Sequence, residues 1–224
     1  MRPWIHLATA KTPQGGSLRL SRRDTEFSIR LEDGNELMNS RLSGSEEALA
    51  TLALDLLSDR VEPRVLIGGL GMGFTLRAAQ NVAPPGARIK VAEIVPDLVD
   101  WASTHMAPVF GDCLKDPRVE VATEDVAVMI RAARGSYDAI LLDVDNGPDG
   151  LTRAGNDGLY SVAGLNAARQ ALSSGGVLAV WSADPAPAFT KRLSHCGFDP
   201  QVHSVRASRA KRGSRHTIWI ARRN

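Results

Sequence analysis

The chain has 224 residues, of which 43% are hydrophobic, and a formal net charge of +2. That length and composition suit one α/β domain with a small appendage and exclude a disordered or low-complexity chain. Its two cysteines, Cys113 and Cys196, lie far apart without metal-like spacing, which excludes a disulfide framework and points to a reducing cytoplasm.

The opening MRPWIHLATAK is too short and too interrupted for a signal peptide, and no apolar run reaches the length of a membrane span, so no membrane association is expected. No internal repeat is visible. Residues 17 to 42 read as short strands. SLRL and EFSIRLE are followed by the Asp33-Gly34 pair and then by ELMNSRL, and an Asp-Gly pair between β-like runs signals a hairpin. Ser43 begins a capping-box spacing with Glu46, and EEALATLALDLL continues as a helix. Residues 1–43 are therefore expected to form an N-terminal β-hairpin extension, and residues 44–224 a Rossmann-like ligand-binding domain.

From Pro63 onward strands and helices alternate. RVLIGG, RIKVAEI, VEVAT, YDAILLDV and GGVLAVWS read as strands. FTLRAAQNV, PDLVDWASTH, DVAVMIRAAR, SVAGLNAARQAL and APAFTKRLSHCG read as helices, with Pro96 at a first helical position and Gly197 at an end. PQVHSVRA and RHTIWIAR have no helix between them, so they form an antiparallel pair at one edge of a mostly parallel sheet. This last stretch, Ser204 to Asn224, carries seven of the 27 Lys and Arg residues and no Asp or Glu. It reads as a solvated hairpin on an acidic body. Nucleic acid is the alternative partner, but no interleaved aromatics support base stacking.

Open α/β sheets bind ligands beyond the carboxyl ends of their strands. The residues there are Gly68 to Gly73, Glu93, Asp125 and Asp143 to Asn146. GLGMG has the spacing G-x-G-x-G, and position 74 is Phe, so the dinucleotide fingerprint fits poorly. Glu93 closes the second strand, where a carboxylate accepts hydrogen bonds from a ribose diol. Its other use is a surface acid favoured by a helix start. Asp125 either accepts from an adenine amine or caps the next helix. Asp143 follows the apolar run AILL and is expected at the strand end, facing the cleft. Nothing in the spacing suggests a metal.

Together these segments resemble the spermidine synthase family of class I S-adenosylmethionine-dependent transferases. The matching runs are LEDG (31–34), IGGLGMG (67–73), AEIVPD (92–97), PRVEVATED (117–125), YDAILLDVDN (137–146) and SGGVLAV (174–180). The resemblance implies a seven-stranded sheet with six strands parallel and one antiparallel, an adenosyl-sulfonium cofactor, a small-molecule substrate and a homodimer. Carried over by position, Gly68, Gly69, Gly71 and Gly73 approach the methionine part, Glu93 takes the ribose and Asp125 the adenine. Asp143 is the expected catalytic residue, and Asn146 and Tyr160 the candidate substrate contacts; Tyr160 and Trp181 are candidates for the cleft wall, with a place in the plain core as the other reading of each. The chain departs from the family at its amine pocket. Gly71 stands where the family has an Asp in the glycine loop, Asn146 replaces the second carboxylate of a D-x-x-D-P pair, and the lead-in lacks a Gln and a Tyr-His pair. Those departures give methyl transfer from S-adenosylmethionine as the expected activity. Aminopropyl transfer from decarboxylated S-adenosylmethionine is the alternative, and a non-catalytic module acting through the basic strands is a third reading.

Overall fold

A computed structural model describes residues 2–13, 15–144, 147–148, 157–208 and 213–223. Its first sheet is antiparallel, with β1 (Ile5–Lys11), β2 (Ser17–Arg23), β3 (Glu26–Leu31) and β4 (Glu36–Asn39) in that order. β1 has no counterpart among the strands expected from sequence. Only Ala10 of its seven residues is fully buried, so it lacks the apolar alternation that marks a strand. The Asp33-Gly34 turn forms as expected. Gly34 has φ 88°, and the Asp33 carboxylate accepts the Asn35 backbone N–H at 2.9 Å.

The larger sheet follows α1 (Gly44–Asp55). β5 (Arg64–Gly68), α2 (Phe74–Val82), β6 (Arg88–Ala92), α3 (Pro96–Ser103) and α4 (Ala107–Phe110) lead through a 3-10 turn at Cys113–Lys115 to β7 (Val119–Ala122). Then come α5 (Val126–Ala132), β8 (Tyr137–Leu142), α6 (Asp157–Tyr160), α7 (Val162–Ala171), β9 (Leu172–Ser182), α8 (Pro187–His195), β10 (Phe198–Arg206) and β11 (Arg215–Arg223). The strand order is β10-β11-β9-β8-β5-β6-β7. β7, β6, β5, β8 and β9 pair in parallel, while β11 is antiparallel to both β9 and β10. Six strands therefore point one way and β11 the other, as the resemblance implied. Pro200 is accommodated because β10 is an edge strand.

The central strands are apolar on both faces, and alternate residues enter separate cores. Val65, Ile67, Ala139 and Leu141 join α1, α2, α3 and the first sheet on one side. Leu66, Ile140 and Leu142 join α5, α7 and α8 on the other. The small sheet thus shares a core with one face of the large one, through Leu18, Leu20, Phe27 and Ile29.

The capping box expected at Ser43 and Glu46 does not form, since Ser43 makes no side-chain capping bond. The Gly44 N–H donates to the Ala207 carbonyl at 2.9 Å, and a Cβ on Gly44 would lie 2.9 Å from the Arg206 carbonyl. The C-terminal strand pair therefore seats the start of α1.

At the amino ends of β5 and β8 a buried carboxylate ties the strands together. The Asp138 side chain is 5% exposed and pairs with the Arg60 and Arg64 guanidinium groups. It also accepts the Arg64 backbone N–H at 2.8 Å and the Ser173 hydroxyl at 2.7 Å. Burial raises the Asp138 pKa, but the Arg64 and Ser173 hydrogen bonds outweigh it and leave the carboxyl below its usual range. Asp138→Ala should cost about 2–4 kcal/mol in urea unfolding at neutral pH, because two cations and a backbone donor lose their partner. A depressed carboxyl stabilises above its unfolded pKa, so wild type and variant should converge as pH falls below the ordinary carboxylate range.

Candidate active site

One pocket opens beyond the carboxyl ends of β5, β6, β7 and β8, where the chain order reverses between β5 and β8. The first sheet closes its far side with Leu18, Leu37 and Met38. Those walls are apolar, and the polar groups project from the strand ends and from α1.

The glycine loop leaves β5 with Gly69, Gly71 and Gly73 at φ 90°, 52° and 72°. A Cβ on Gly69 would lie 2.4 Å from the Asp143 carbonyl oxygen, so only glycine lets the two strand ends approach. A Cβ on Gly73 would meet the Phe110 ring at 2.6 Å, and one on Gly68 would press on Val126 at 3.1 Å. Of the four glycines, Gly69 and Gly71 line the pocket, while Gly68 and Gly73 serve packing behind it.

Glu93 sits at the end of β6, 5% exposed. Its two oxygens accept the Leu70 N–H at 3.0 Å and the Val95 N–H at 2.9 Å, so it clamps the glycine loop to the neighbouring strand. A carboxylate oxygen can accept more than one hydrogen bond, and Glu93 lines the pocket. Asp125 is the N-cap of α5, accepting the Ala127 N–H at 2.7 Å, and it also borders the pocket beside Glu124. The cap that the sequence left as one of two readings is thus present.

Asp143 follows β8 and lines the pocket. The Thr75 hydroxyl of α2 donates to its Oδ2 at 2.6 Å. Burial pushes the Asp143 carboxyl up to about 6, and the Thr75 bond only partly offsets this. A second acid shares the pocket that sequence reasoning had assigned to capping. Glu46 projects from the first turn of α1, and burial, then repulsion from Asp143, pushes its carboxyl up to about 7. The Ser45 hydroxyl donates to Glu46 Oε2 at 2.7 Å. Sequence held no clear signal for this role, because Glu46 occupies a favourable capping position. Thr75, two residues after the glycine loop, was also missed.

The expected substrate contacts fare differently. Tyr160 is 2% exposed, packs edge-on against Phe189 with ring centroids 5.7 Å apart, and donates to the Val144 carbonyl at 3.3 Å. It is a core residue and does not line the pocket, because α6 buries it against α8. Asn146 lies outside the described residues, as do Asp145 and Asp149. Trp181 does line the pocket, and its indole Nε1 is buried without a hydrogen-bond partner among the described residues. Within the described residues no helix is long and apolar enough to cross a membrane.

No family model matches the chain. Over 130 residues it is 34% identical to a polyamine aminopropyltransferase of Corynebacterium efficiens, covering 56% of this chain and 24% of that protein. Over 124 residues it is 32% identical to polyamine aminopropyltransferase 1 of Streptomyces coelicolor, covering 54% and 22%. The chain therefore spans about a quarter of the length of these relatives. Among solved structures it superimposes on a spermidine synthase in complex with the transition-state analogue AdoDATO. There the TM-score is 0.75 with 17% identity, over 98% of this chain and 72% of the other. The chain has a spermidine synthase-like fold. The Thermotoga maritima spermidine synthase gives a TM-score of 0.73 at 17% identity, over 98% of this chain and 73% of that one. A probable spermidine synthase from Corynebacterium glutamicum gives 0.68 at 14%, over 100% and 81%. The expectation of methyl transfer is overturned by these two relatives, each of which is named for aminopropyl transfer. Glu46 puts a second carboxyl group beside Asp143 from a different element.

Both raised carboxyls favour the folded state while neutral. Their contribution is complete below the unfolded carboxylate pKa and is lost as pH rises through about 6 for Asp143 and about 7 for Glu46. Glu46→Gln should therefore stabilise the ligand-free protein by about 1 kcal/mol or more at about pH 8, with little effect near pH 5. Thermal unfolding across that range reads the difference.

Proposed function

We propose that the protein transfers an aminopropyl group from decarboxylated S-adenosylmethionine to an amine acceptor of the polyamine class. The observation that carries this reading is the charge of the pocket. Glu46, Glu93, Glu124, Asp125 and Asp143 line it, and no Lys, Arg or His does among the described residues. Five acidic side chains without a basic one favour ligands that are cationic and carry no carboxylate of their own. The decarboxylated donor has a sulfonium and an ammonium, and a polyamine acceptor is cationic throughout. The sequence similarity to two polyamine aminopropyltransferases supports the same choice.

In this reading Gly69 and Gly71 let the donor approach the backbone, Glu93 accepts from the ribose, and Asp125 borders the adenine. The donor supplies a carbon made electrophilic by the adjacent sulfonium. Asp143 takes one proton from the acceptor ammonium, and a carboxyl raised to about 6 holds and releases a proton near neutral pH. The freed amine lone pair forms the new C–N bond as the C–S bond breaks, and the bonding pair leaves with sulfur as a neutral thioether. The new secondary ammonium keeps its proton, so one proton is released per turnover. Glu46 holds the acceptor's positive charge next to Asp143, in place of the acids missing from the glycine loop and from position 146.

Calorimetry should find decarboxylated S-adenosylmethionine bound at least about 10-fold more tightly than S-adenosylmethionine, a difference of about 1.4 kcal/mol. With putrescine or another diamine the protein should release methylthioadenosine, and Asp143→Asn should lower kcat by about 100-fold or more. Tighter binding of the intact cofactor, or no turnover with any diamine while the decarboxylated donor binds, would reject the proposal.

A further inference from the structure

The wall behind Glu46 contains a hydrogen-bonded chain that the proposed reaction does not yet use. The Ser45 hydroxyl, fully buried, donates to Glu46 Oε2 at 2.7 Å and pairs with His216 Nδ1 at 2.8 Å. His216 belongs to β11, so Ser45 and His216 meet across 171 residues of sequence. Its ring packs edge-on against the pocket residue Trp181, with centroids 4.8 Å apart. Its other nitrogen, Nε2, lies 3.5 Å from the exposed hydroxyl of Ser214. The chain therefore runs from a carboxyl group in the pocket, through one buried hydroxyl, to a half-buried imidazole whose Nε2 meets an exposed serine.

We infer that Glu46, Ser45 and His216 form a proton exit from the site, so that His216 and Ser45 are positioning and relay residues for the amine deprotonation assigned above; this rests on the aminopropyl-transfer reading. Only two arrangements satisfy these three groups. With Glu46 ionised, His216 Nδ1–H donates to Ser45, and Ser45 donates to Glu46. With Glu46 protonated, the order reverses, and Ser45 donates to an unprotonated Nδ1. A proton that reaches Glu46 from the Asp143 side passes to the Ser45 oxygen as the Ser45 proton moves to Nδ1. The resulting imidazolium loses its Nε2 proton to water. Glu46 is again ionised, one proton has left, and tautomer exchange at the solvent-facing Nε2 resets the ring. No oxidant or further reactant is required.

The local charges fit transit. Glu46 faces Asp143 from the end of β8 and Glu47 from its own helix, and both repel its negative charge. Burial lowers the His216 pKa, and Asp184 after β9 opposes that only in part, so the imidazolium gives up its proton readily. The docking of Gly44 on Ala207 holds the two ends of the chain in register.

Two measurements test the relay. In the ligand-free protein, ring NMR of His216 should show its titration midpoint move in both Glu46→Gln and Ser45→Ala, because each variant removes a group from the chain that sets the protonation of Nδ1. In turnover with decarboxylated S-adenosylmethionine and a diamine, Ser45→Ala and His216→Asn should each lower kcat by about 10-fold or more with KM values held within about twofold. Added imidazole should restore part of the activity of His216→Ala, which a purely structural role would not allow. An unchanged His216 midpoint in both variants overturns the chain. So does wild-type kcat and pH dependence in folded Ser45→Ala and His216→Asn. If the wild type itself shows no turnover, the aminopropyl reading has failed, and the NMR titration alone decides whether the three groups exchange a proton.

Discussion

Asp143 and the glycine loop can meet only because position 69 has no side chain. The carbonyl of Asp143 occupies the space where a Cβ would stand, at 2.4 Å. That contact lies at the reversal of strand order between β5 and β8, and it fixes three things together. It brings the loop over the cleft, sets Asp143 at the end of its strand, and leaves Gly71 open to the pocket. Glu93 reinforces the arrangement from β6 by accepting the Leu70 N–H within the same loop. The two parallel neighbours of β5 thus hold the loop from both sides, one through a close backbone contact and the other through a carboxylate.

The second organising feature is an accumulation of negative charge. Carboxylates in a partly apolar pocket repel one another, and burial raises their proton affinity. The fold tolerates this for Glu93 and Asp125 by giving their oxygens backbone N–H donors. Asp143 and Glu46 receive one side-chain hydroxyl each, from Thr75 and Ser45. They are the two acids whose protons are held near neutral pH. The division is physical. Acids satisfied by fixed amides shape the loop and cap a helix, and acids satisfied by hydroxyls hold their protons to higher pH.

Much of this was legible in the chain. The alternation of apolar runs with helical patterns gave the sheet, and the absence of a helix between residues 198 and 223 gave the antiparallel strand. Gly69, Gly71, Glu93, Asp125 and Asp143 were placed at strand ends by position alone, and they converge on one pocket. β1 escaped notice because its burial is slight. For Tyr160 the sequence left the cleft wall and the core both open, because a tyrosine after a glycine-rich loop looks the same whether it faces a ligand or packs on Phe189, and the structure places it in the core.

Glu46 shows most clearly where sequence runs out. Local propensity assigns it to a capping box, but Ser43 makes no capping bond and the Glu46 carboxyl instead accepts the Ser45 hydroxyl and lines the pocket. The C-terminal strand pair brings His216 to Ser45, a contact with no trace in the spacing of either segment. The sequence by itself determined the βαβ order, the glycine turn and the acids at the strand ends, because each follows from short-range periodicity and backbone sterics. Only the tertiary structure decided which acids form a pair, since that depends on how α1 and the last strands pack against the sheet.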